Sequence, residues 1–407
     1  MAKLTLKDIA LKSKTVLVRA DFNVPQDAAL NITDDTRIRA TLPTLKYILQ
    51  NQAKKIILMS HLGRPDGKVV EKYSLKPVAA RLQELLGEPV KFLNDCAPGF
   101  IGEAGARSCA VGESIKKEID ASKEKIILLE NLRFHAEEEA NDANFAKQLA
   151  SLADIFVNDA FGTAHRAHAS TEGVAHFLQS AAGFLLEKEI QYLGSAIQNP
   201  GRPFMVILGG AKVSDKIGVI ENLLPKSDSI LIGGGMSYTF LKAQGKSIGK
   251  SKLEKEKLDL AKEILDQAKK LHKDILLPID HLVVDEISPF AKTEVVAENI
   301  PEGKIAVDIG PKTIALFKDR LANAKTIVWN GPLGIFEMDA FSTGTREIAG
   351  FISTLGATTI IGGGDTAAAI AKCKLEDRMT HISTGGGASL EFLEGKDLPG
   401  IAALTNK

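Results

Sequence analysis

The sequence predicts an α/β protein built from parallel sheets, and three observations carry that prediction. Short apolar runs rich in Val, Ile and Leu alternate along the whole chain with longer amphipathic stretches bearing Lys and Glu, which is the rhythm of βα units. Thirty-five glycines, with 5% aromatic and 44% hydrophobic residues, suit many tight strand-to-helix turns. The 407 residues exceed the usual share of one domain, roughly 100–200 residues, so two or three cores are expected.

Taken in order, the strands expected in the first half are Val16–Val18, Ile56–Met59, Ile126–Leu129 and Ile155–Val157. Those of the second half are Met205–Leu208, Ile230–Ile232, Ile275–Leu277, Thr326–Val328, Thr359–Ile361 and Thr380–Ile382. Between them, residues 184–199 have helical spacing (Leu185, Ile190, Leu193, Ile197) and run into Asn-Pro-Gly-Arg-Pro, which cannot continue a helix. A domain boundary is expected there, with one unit ending at residue 183 and the next starting at 200.

Charge and composition exclude several classes of function. Lys plus Arg and Asp plus Glu each number 51, so no global field draws the chain to nucleic acid or to an anionic membrane. Any anion site must be local. Cys96, Cys109 and Cys373 are odd in number and lack CxxC spacing, which speaks against a disulfide framework or a structural zinc. The stretch MAKLTLKDIALKSK lacks the apolar core of a secretion signal, and the 17 uncharged residues Ile348–Gly364 are broken by Gly, Thr and Ser. A soluble protein of the cytoplasm is expected.

In open parallel sheets ligands bind beyond the carboxyl ends of strands, so the residues just after each strand carry the functional signal. In the first half they read Arg19-Ala-Asp21-Phe22-Asn23, Ser60-His61-Leu62-Gly63-Arg64, Glu130-Asn-Leu-Arg133 and Asn158-Asp159 through His165-Arg166-Ala-His168. A small, multiply charged anion needs fork-shaped donors from several directions. Arg64, Arg133 and Arg166 stand in equivalent places, Arg37 lies near a helix start, and eight of the twelve arginines precede residue 200.

In the second half the same places are rich in glycine: Gly209-Gly210-Ala211-Lys212, Gly233-Gly234-Gly235, Asn330-Gly-Pro332, Gly362-Gly363-Gly364-Asp365-Thr366 and Gly385-Gly386-Gly387. Glycine lets backbone N–H groups approach phosphate oxygens, and a helix N-terminus adds positive potential. One such station serves a turn; the whole set suits a polyphosphate. Asp365 is placed to hold Mg²⁺ beside phosphates. Lys212 and Lys216, four apart, would share a face if a helix began there.

Two motif matches fail. Gly362 to Ala367 fits GxGxxA, but no acidic residue ends the next strand, which disfavours a dinucleotide dehydrogenase. Gly245-Lys-Ser-Ile-Gly249-Lys-Ser resembles part of a P-loop without a preceding strand and reads as a solvated loop. His176, His272, His281 and His381 show no zinc spacing and read as structural.

The motifs VRADFNVP, SHLGRP, LLENLRF, VNDAFGTAHRAH, GGAKVSDKI, WNGPLGIFE, GGGDTAAA and STGGGAS occur in this order from Val18 to Ser389, and together they resemble the phosphoglycerate kinase family. Met338, Asp339 and Ala106–Ala121 depart from the family's usual pattern without touching a motif. The resemblance implies two Rossmann-like domains joined by a hinge helix. It also implies transfer of the acyl phosphate of 1,3-bisphosphoglycerate to MgADP, giving 3-phosphoglycerate and MgATP, in a monomer.

Carried over by motif, Asp21, Phe22, Asn23, Arg37, His61, Leu62, Gly63, Arg64, Arg133 and Arg166 bind the three-carbon acid. Gly210, Ala211, Lys216, Gly234, Gly235, Asn330, Pro332, Glu337, Gly363, Gly364, Asp365 and Thr366 bind the nucleotide, with Asp365 on Mg²⁺. The family's C-terminus folds back onto its first domain, so the expected domains are 1–183 with 393–407, and 200–392, around the 184–199 helix. Phosphoryl transfer needs alignment and charge stabilisation rather than a protein nucleophile. Arg37, Lys212 and the N–H groups of Gly386 and Gly387 are expected to serve the transferring group after hinge closure.

Overall fold

The computed structural model describes residues 2–94 and 113–407; Cys96, Cys109 and the first part of Ala106–Ala121 lie outside them. The chain divides into two compact units, Met1–Ile190 with Asp397–Lys407, and Gln191–Lys396.

The first unit holds β1 (Thr15–Ala20), β2 (Lys55–Met59), β3 (Val90–Phe92), β4 (Ile126–Leu128), β5 (Ile155–Asp159) and β6 (Gln179–Ala182). They form one sheet in the order β3-β4-β2-β1-β5-β6. All its pairings are parallel, with Val16 opposite Ile56 on one side and Ile155 on the other. β2 and β5 are buried along their whole length, which is why these strands read as continuous apolar runs: helices cover both faces of the sheet. The short edge strands β3 and β6 escape the sequence reading because VKF is half-buried and QSAA has small side chains.

The second unit repeats the plan. Its strands are β7 (Phe204–Leu208), β8 (Ser229–Ile232), β9 (Asp274–Leu276), β10 (Asp280–Val284), β11 (Glu294–Ala297), β12 (Ile305–Ile309), β13 (Thr326–Asn330), β14 (Thr358–Gly362) and β15 (His381–Ile382). Six form a parallel sheet in the order β15-β14-β13-β7-β8-β9. The other three form an antiparallel sheet, β11-β10-β12, that the βα rhythm does not announce, because no helix separates β10 from β11 or β11 from β12. In each parallel sheet the chain first moves to one side of its opening strand and later returns on the other. The switch points are therefore β1/β5 and β7/β13, where ligand crevices form.

Residues 397–407 pack on the first unit: Asn158 Nδ2 donates to Gly400 O (2.9 Å) and Leu4 N to Thr405 O (2.8 Å). The second unit extends to Lys396, past the Leu393 boundary expected, because Asn222 Nδ2 donates to Leu393 O (2.8 Å). The division at the other boundary falls inside the helix Phe184–Gln198, between Ile190 and Gln191. Among the described residues, no helix is long and apolar enough to cross a membrane.

Asp159, on the rim in the sequence reading, is turned to the N-terminus of the helix Phe184–Gln198, where its Oδ1 accepts from Leu185 N (2.9 Å) and Leu186 N (3.4 Å). Burial pushes this carboxyl up to about 7. Because the folded pKa is raised, the stability it confers is complete below the unfolded value near 4 and is lost as pH rises through about 7. Asp159→Asn keeps the acceptor without the charge. Urea unfolding at pH 5 and pH 8 should show the variant gaining on its parent as pH rises, by at most ~3 kcal/mol. Parallel pH profiles would refute the buried, proton-holding carboxyl.

Candidate active site

The first unit gathers a cationic cradle at the β1/β5 end of its sheet. Arg37, in the first turn of the helix Thr36–Gln50, donates from Nη1 to Asp21 Oδ2 (2.8 Å). Asn23 Oδ1 accepts from Gly63 N (2.9 Å), tying the loop after β1 to the loop after β2. Glycine is required at position 63: φ is +63°, and a Cβ would lie 2.3 Å from the Tyr73 ring. Arg133 donates from Nη1 to Gly63 O (2.9 Å) and pairs through Nε with Glu139 (3.3 Å). Arg166 is half-buried beside His165, and Arg64 is exposed. The side chains of Phe22 and Leu62 are in the core, so only their main chain reaches the rim; Phe22 N donates to Ser60 Oγ (2.8 Å).

A layer behind these residues sets the state of His61. Arg19, fully buried at the end of β1, donates from Nη2 to His61 Nδ1 (3.1 Å), from Nε to Ser170 Oγ (2.8 Å) and from Nη1 to Ala20 O. Ser170 Oγ in turn donates to buried Glu138 Oε1 (2.5 Å). A guanidinium cannot accept, so His61 Nδ1 holds the lone pair and the proton sits on Nε2. Burial, then Arg19, Arg133 and Arg37, hold the imidazole well below its ordinary range. His61 therefore stays neutral and offers an Nε2–H donor. His168, 3.9 Å from Glu138, is pushed down to about 3 by burial and by Arg133, Arg19 and Arg166. Four arginines thus surround two neutral imidazoles, an arrangement suited to a small polyanion. Residue type and spacing alone assign Arg19 and His168 no role. Their signal, a charged residue inside an apolar strand and a second His after β5, is legible only with the fold in hand.

In the second unit the main chain itself builds the site at the β7/β13 switch. Gly210, Gly234 and Gly331 have φ of +99°, +64° and +99°. A Cβ on Gly234 would lie 2.8 Å from Gly210 N and O and from Pro332 O, so the turns after β7, β8 and β13 touch backbone to backbone. Gly210 N donates to Pro332 O (2.9 Å) and Gly234 N to Leu333 O (3.0 Å). In front of them lies a cavity of about 480 Å³, lined by Gly210, Ala211, Gly234, Gly235, Pro332, Glu337 and Asp365 among others. A hollow of about 610 Å³ near Arg39 and Arg81 in the first unit is less apt, because those guanidiniums are already paired with Asp35 and Glu84.

Behind the cavity, Lys216 Nζ donates to buried Asn330 Oδ1, and Gly331 N donates to buried Thr366 Oγ1 (2.7 Å). Burial lowers the Lys216 pKa, opposed by Asp215, Asp365 and Glu394. Gly363 (φ +85°) precedes the helix Gly364–Lys372, which presents Asp365 in its first turn, exposed at the cavity. Gly386 (φ +51°) likewise precedes the helix Gly387–Leu393. One expectation is corrected: the helix begins at Ile217, so Lys212 and Lys216 do not share a helical face. Lys212 is exposed in the loop that Glu254 holds through Ser214 (2.7 Å), because hydrogen bonds to the Ser214 main chain and hydroxyl compete with a helical start. The Gly245–Ser251 loop is not purely solvated either: Lys250 lines the cavity, with Lys252, Tyr238 and Ile287, none of which was expected at the site.

Among the described residues, no cluster of three or more His, Cys, Asp or Glu could cage a metal. Asp365, exposed beside a cavity lined by glycine main chain, does fit Mg²⁺, which takes one or two carboxylates and completes its shell with water and phosphate oxygens.

The chain matches the family described as phosphoglycerate kinase over residues 6–396. A phosphoglycerate kinase of Koribacter versatilis is 56% identical over 417 residues, covering all of both chains. One of Dictyoglomus turgidum is 57% identical over 413 residues, again with full coverage of both. Among solved structures, phosphoglycerate kinase from Coxiella burnetii is 43% identical with a TM-score of 0.88, and that from Pyrococcus horikoshii is 33% identical with a TM-score of 0.80. Each comparison covers 98% of both chains.

Proposed function

Because the chain belongs to the phosphoglycerate kinase family, we propose how its two rims divide the work of that reaction, the reversible transfer of the acyl phosphate of 1,3-bisphosphoglycerate to MgADP in glycolysis. The observation that supports the division is the contrast in chemistry: a cationic cradle on one unit, a glycine-walled cavity with the exposed carboxylates of Glu337 and Asp365 on the other. Arg37, Arg64, Arg133 and Arg166 neutralise the three-carbon acid, and the fixed Nε2–H of His61 adds an oriented donor. The cavity takes ADP or ATP, with Glu337 at the ribose and Gly210, Gly234 and Pro332 walling the base.

Asp365 would hold Mg²⁺, which supplies neutralisation of the nucleotide phosphates. Transfer is direct and in line, after closure of the two units. Arg37, Lys212 and the N–H groups of Gly386 and Gly387 stabilise charge on the transferring phosphoryl oxygens, and exclusion of water protects the acyl phosphate from hydrolysis. Both sites are built from one chain, so a monomer in the cytoplasm suffices.

A coupled assay tests the reading: ADP should form from MgATP only when 3-phosphoglycerate is present. ADP release without the acid, or none with it, would overturn the assignment.

A further inference from the structure

We propose that Lys372 is a positioning residue of the nucleotide site, tying the loop that carries Glu337 to the helix that carries Asp365. This rests on the nucleotide reading of the cavity given above. Lys372 is the last residue of the helix Gly364–Lys372, whose first turn presents Asp365. Its Nζ donates to Phe336 O (3.0 Å) and Glu337 O (3.1 Å) and pairs with Asp339 Oδ1 (2.7 Å). An ammonium has three donors, and here each has its own acceptor on one short stretch of loop.

Packing fixes only part of this loop: Ile335 and Met338 lie against Val284, Val307 and Phe341 and Phe336 is buried, whereas Glu337 and Asp339 are exposed and the tie holds their main chain. Upstream it is pinned, Leu333 N donating to Thr345 Oγ1 (3.0 Å) and Ile335 N to Val307 O (3.0 Å). Phe336 and Asp339 border a hollow of about 190 Å³, also lined by Ser342, Arg346, Lys372 and Cys373. The exposed ion pair with Asp339 contributes little to global stability. What the clamp fixes is distance: the main chain that bears Glu337 is held to the far end of the helix that bears Asp365. The two carboxylates that serve opposite ends of a nucleotide therefore sit on one rigid piece. The Asp339 carboxyl, held below its usual range by the Lys372 ammonium, is charged at any physiological pH and keeps the clamp closed.

The test uses the full-length protein and MgADP as the calorimetric probe. Lys372→Met keeps the length of the side chain and removes its donors. It should weaken MgADP binding and raise the KM for MgATP about five- to tenfold, leaving kcat and the KM for 3-phosphoglycerate within about twofold of the parent. Lys372→Arg, which keeps several donors, should recover most of the loss, and Asp339→Asn should show a smaller change of the same kind. A purely structural lysine would lower the melting temperature without separating the two KM values, and that result overturns the proposal. So does unchanged MgADP affinity in a folded Lys372→Met. Should that variant not fold, Asp339→Asn with unchanged MgADP affinity overturns it. A parent protein that binds no MgADP refutes the nucleotide reading itself, which the clamp variants alone cannot do.

Discussion

Replacing Arg37 with Ala lowers kcat by about 10²–10³-fold, the usual cost of removing one donor aimed at transition-state charge, while moving the KM for 3-phosphoglycerate far less. The placement of Arg37 argues for that role. It lies in the first turn of the helix Thr36–Gln50, where the helix dipole disfavours a cation, so its charge is not there to stabilise the helix. Among the described residues its one ion pair is with Asp21, and the side chain remains 38% exposed, so the guanidinium is held at one edge. The helix N–H groups and the guanidinium together favour an anion. Removing the guanidinium leaves the Asp21 carboxylate close to that anion without its ion-pair partner. Arg37→Lys should recover only part of the rate, because an ammonium lacks the planar fork. Steady-state kinetics in both substrates decide the matter: an intact kcat with only a raised KM would make Arg37 a ground-state anchor.

Asp365→Asn has the second large effect, abolishing most productive binding of the Mg-nucleotide, at least tenfold in affinity, while 3-phosphoglycerate binding stays within twofold. Asp365 is exposed in the first turn of the helix Gly364–Lys372, beside the cavity, whereas every arginine assigned to the acid lies in the other unit. An amide oxygen still coordinates but carries no charge, so the metal loses the carboxylate assigned to it at the cavity edge. Calorimetric titration of each ligand separately reads the difference, and chelation of Mg²⁺ in the parent should reproduce the variant's nucleotide affinity. A fall in affinity for the acid with MgADP unaffected would show the two rims to be wrongly assigned.

Both expectations start from residue types and spacing, and how far those reach has a physical cause. A strand buried on both faces must be apolar along its length, so KIILM, FMVIL and TIVWN announce their own positions without any contact being known. Gly234 and Gly331 are equally legible, because the close backbone approaches there admit no side chain. The eight ordered motifs, which carried the family resemblance, sit at just such places, where short-range geometry and chemistry constrain each residue.

What only the tertiary structure decided depends on groups distant in sequence. Asp159 gives up the rim to cap a helix that begins 25 residues later in the chain, a choice made by which buried N–H groups lack a partner. Lys250 reaches the cavity from a loop that alone looks solvated, and the antiparallel β10–β12 sheet forms only because three short segments find each other. The tautomer of His61 is set by Arg19, 42 residues away, whose charge inside an apolar strand is tolerable only because Ser170 and Glu138 meet it there. Local pattern determines where a chain must be buried or must turn; hydrogen-bond satisfaction across the fold determines which polar atom faces the ligand.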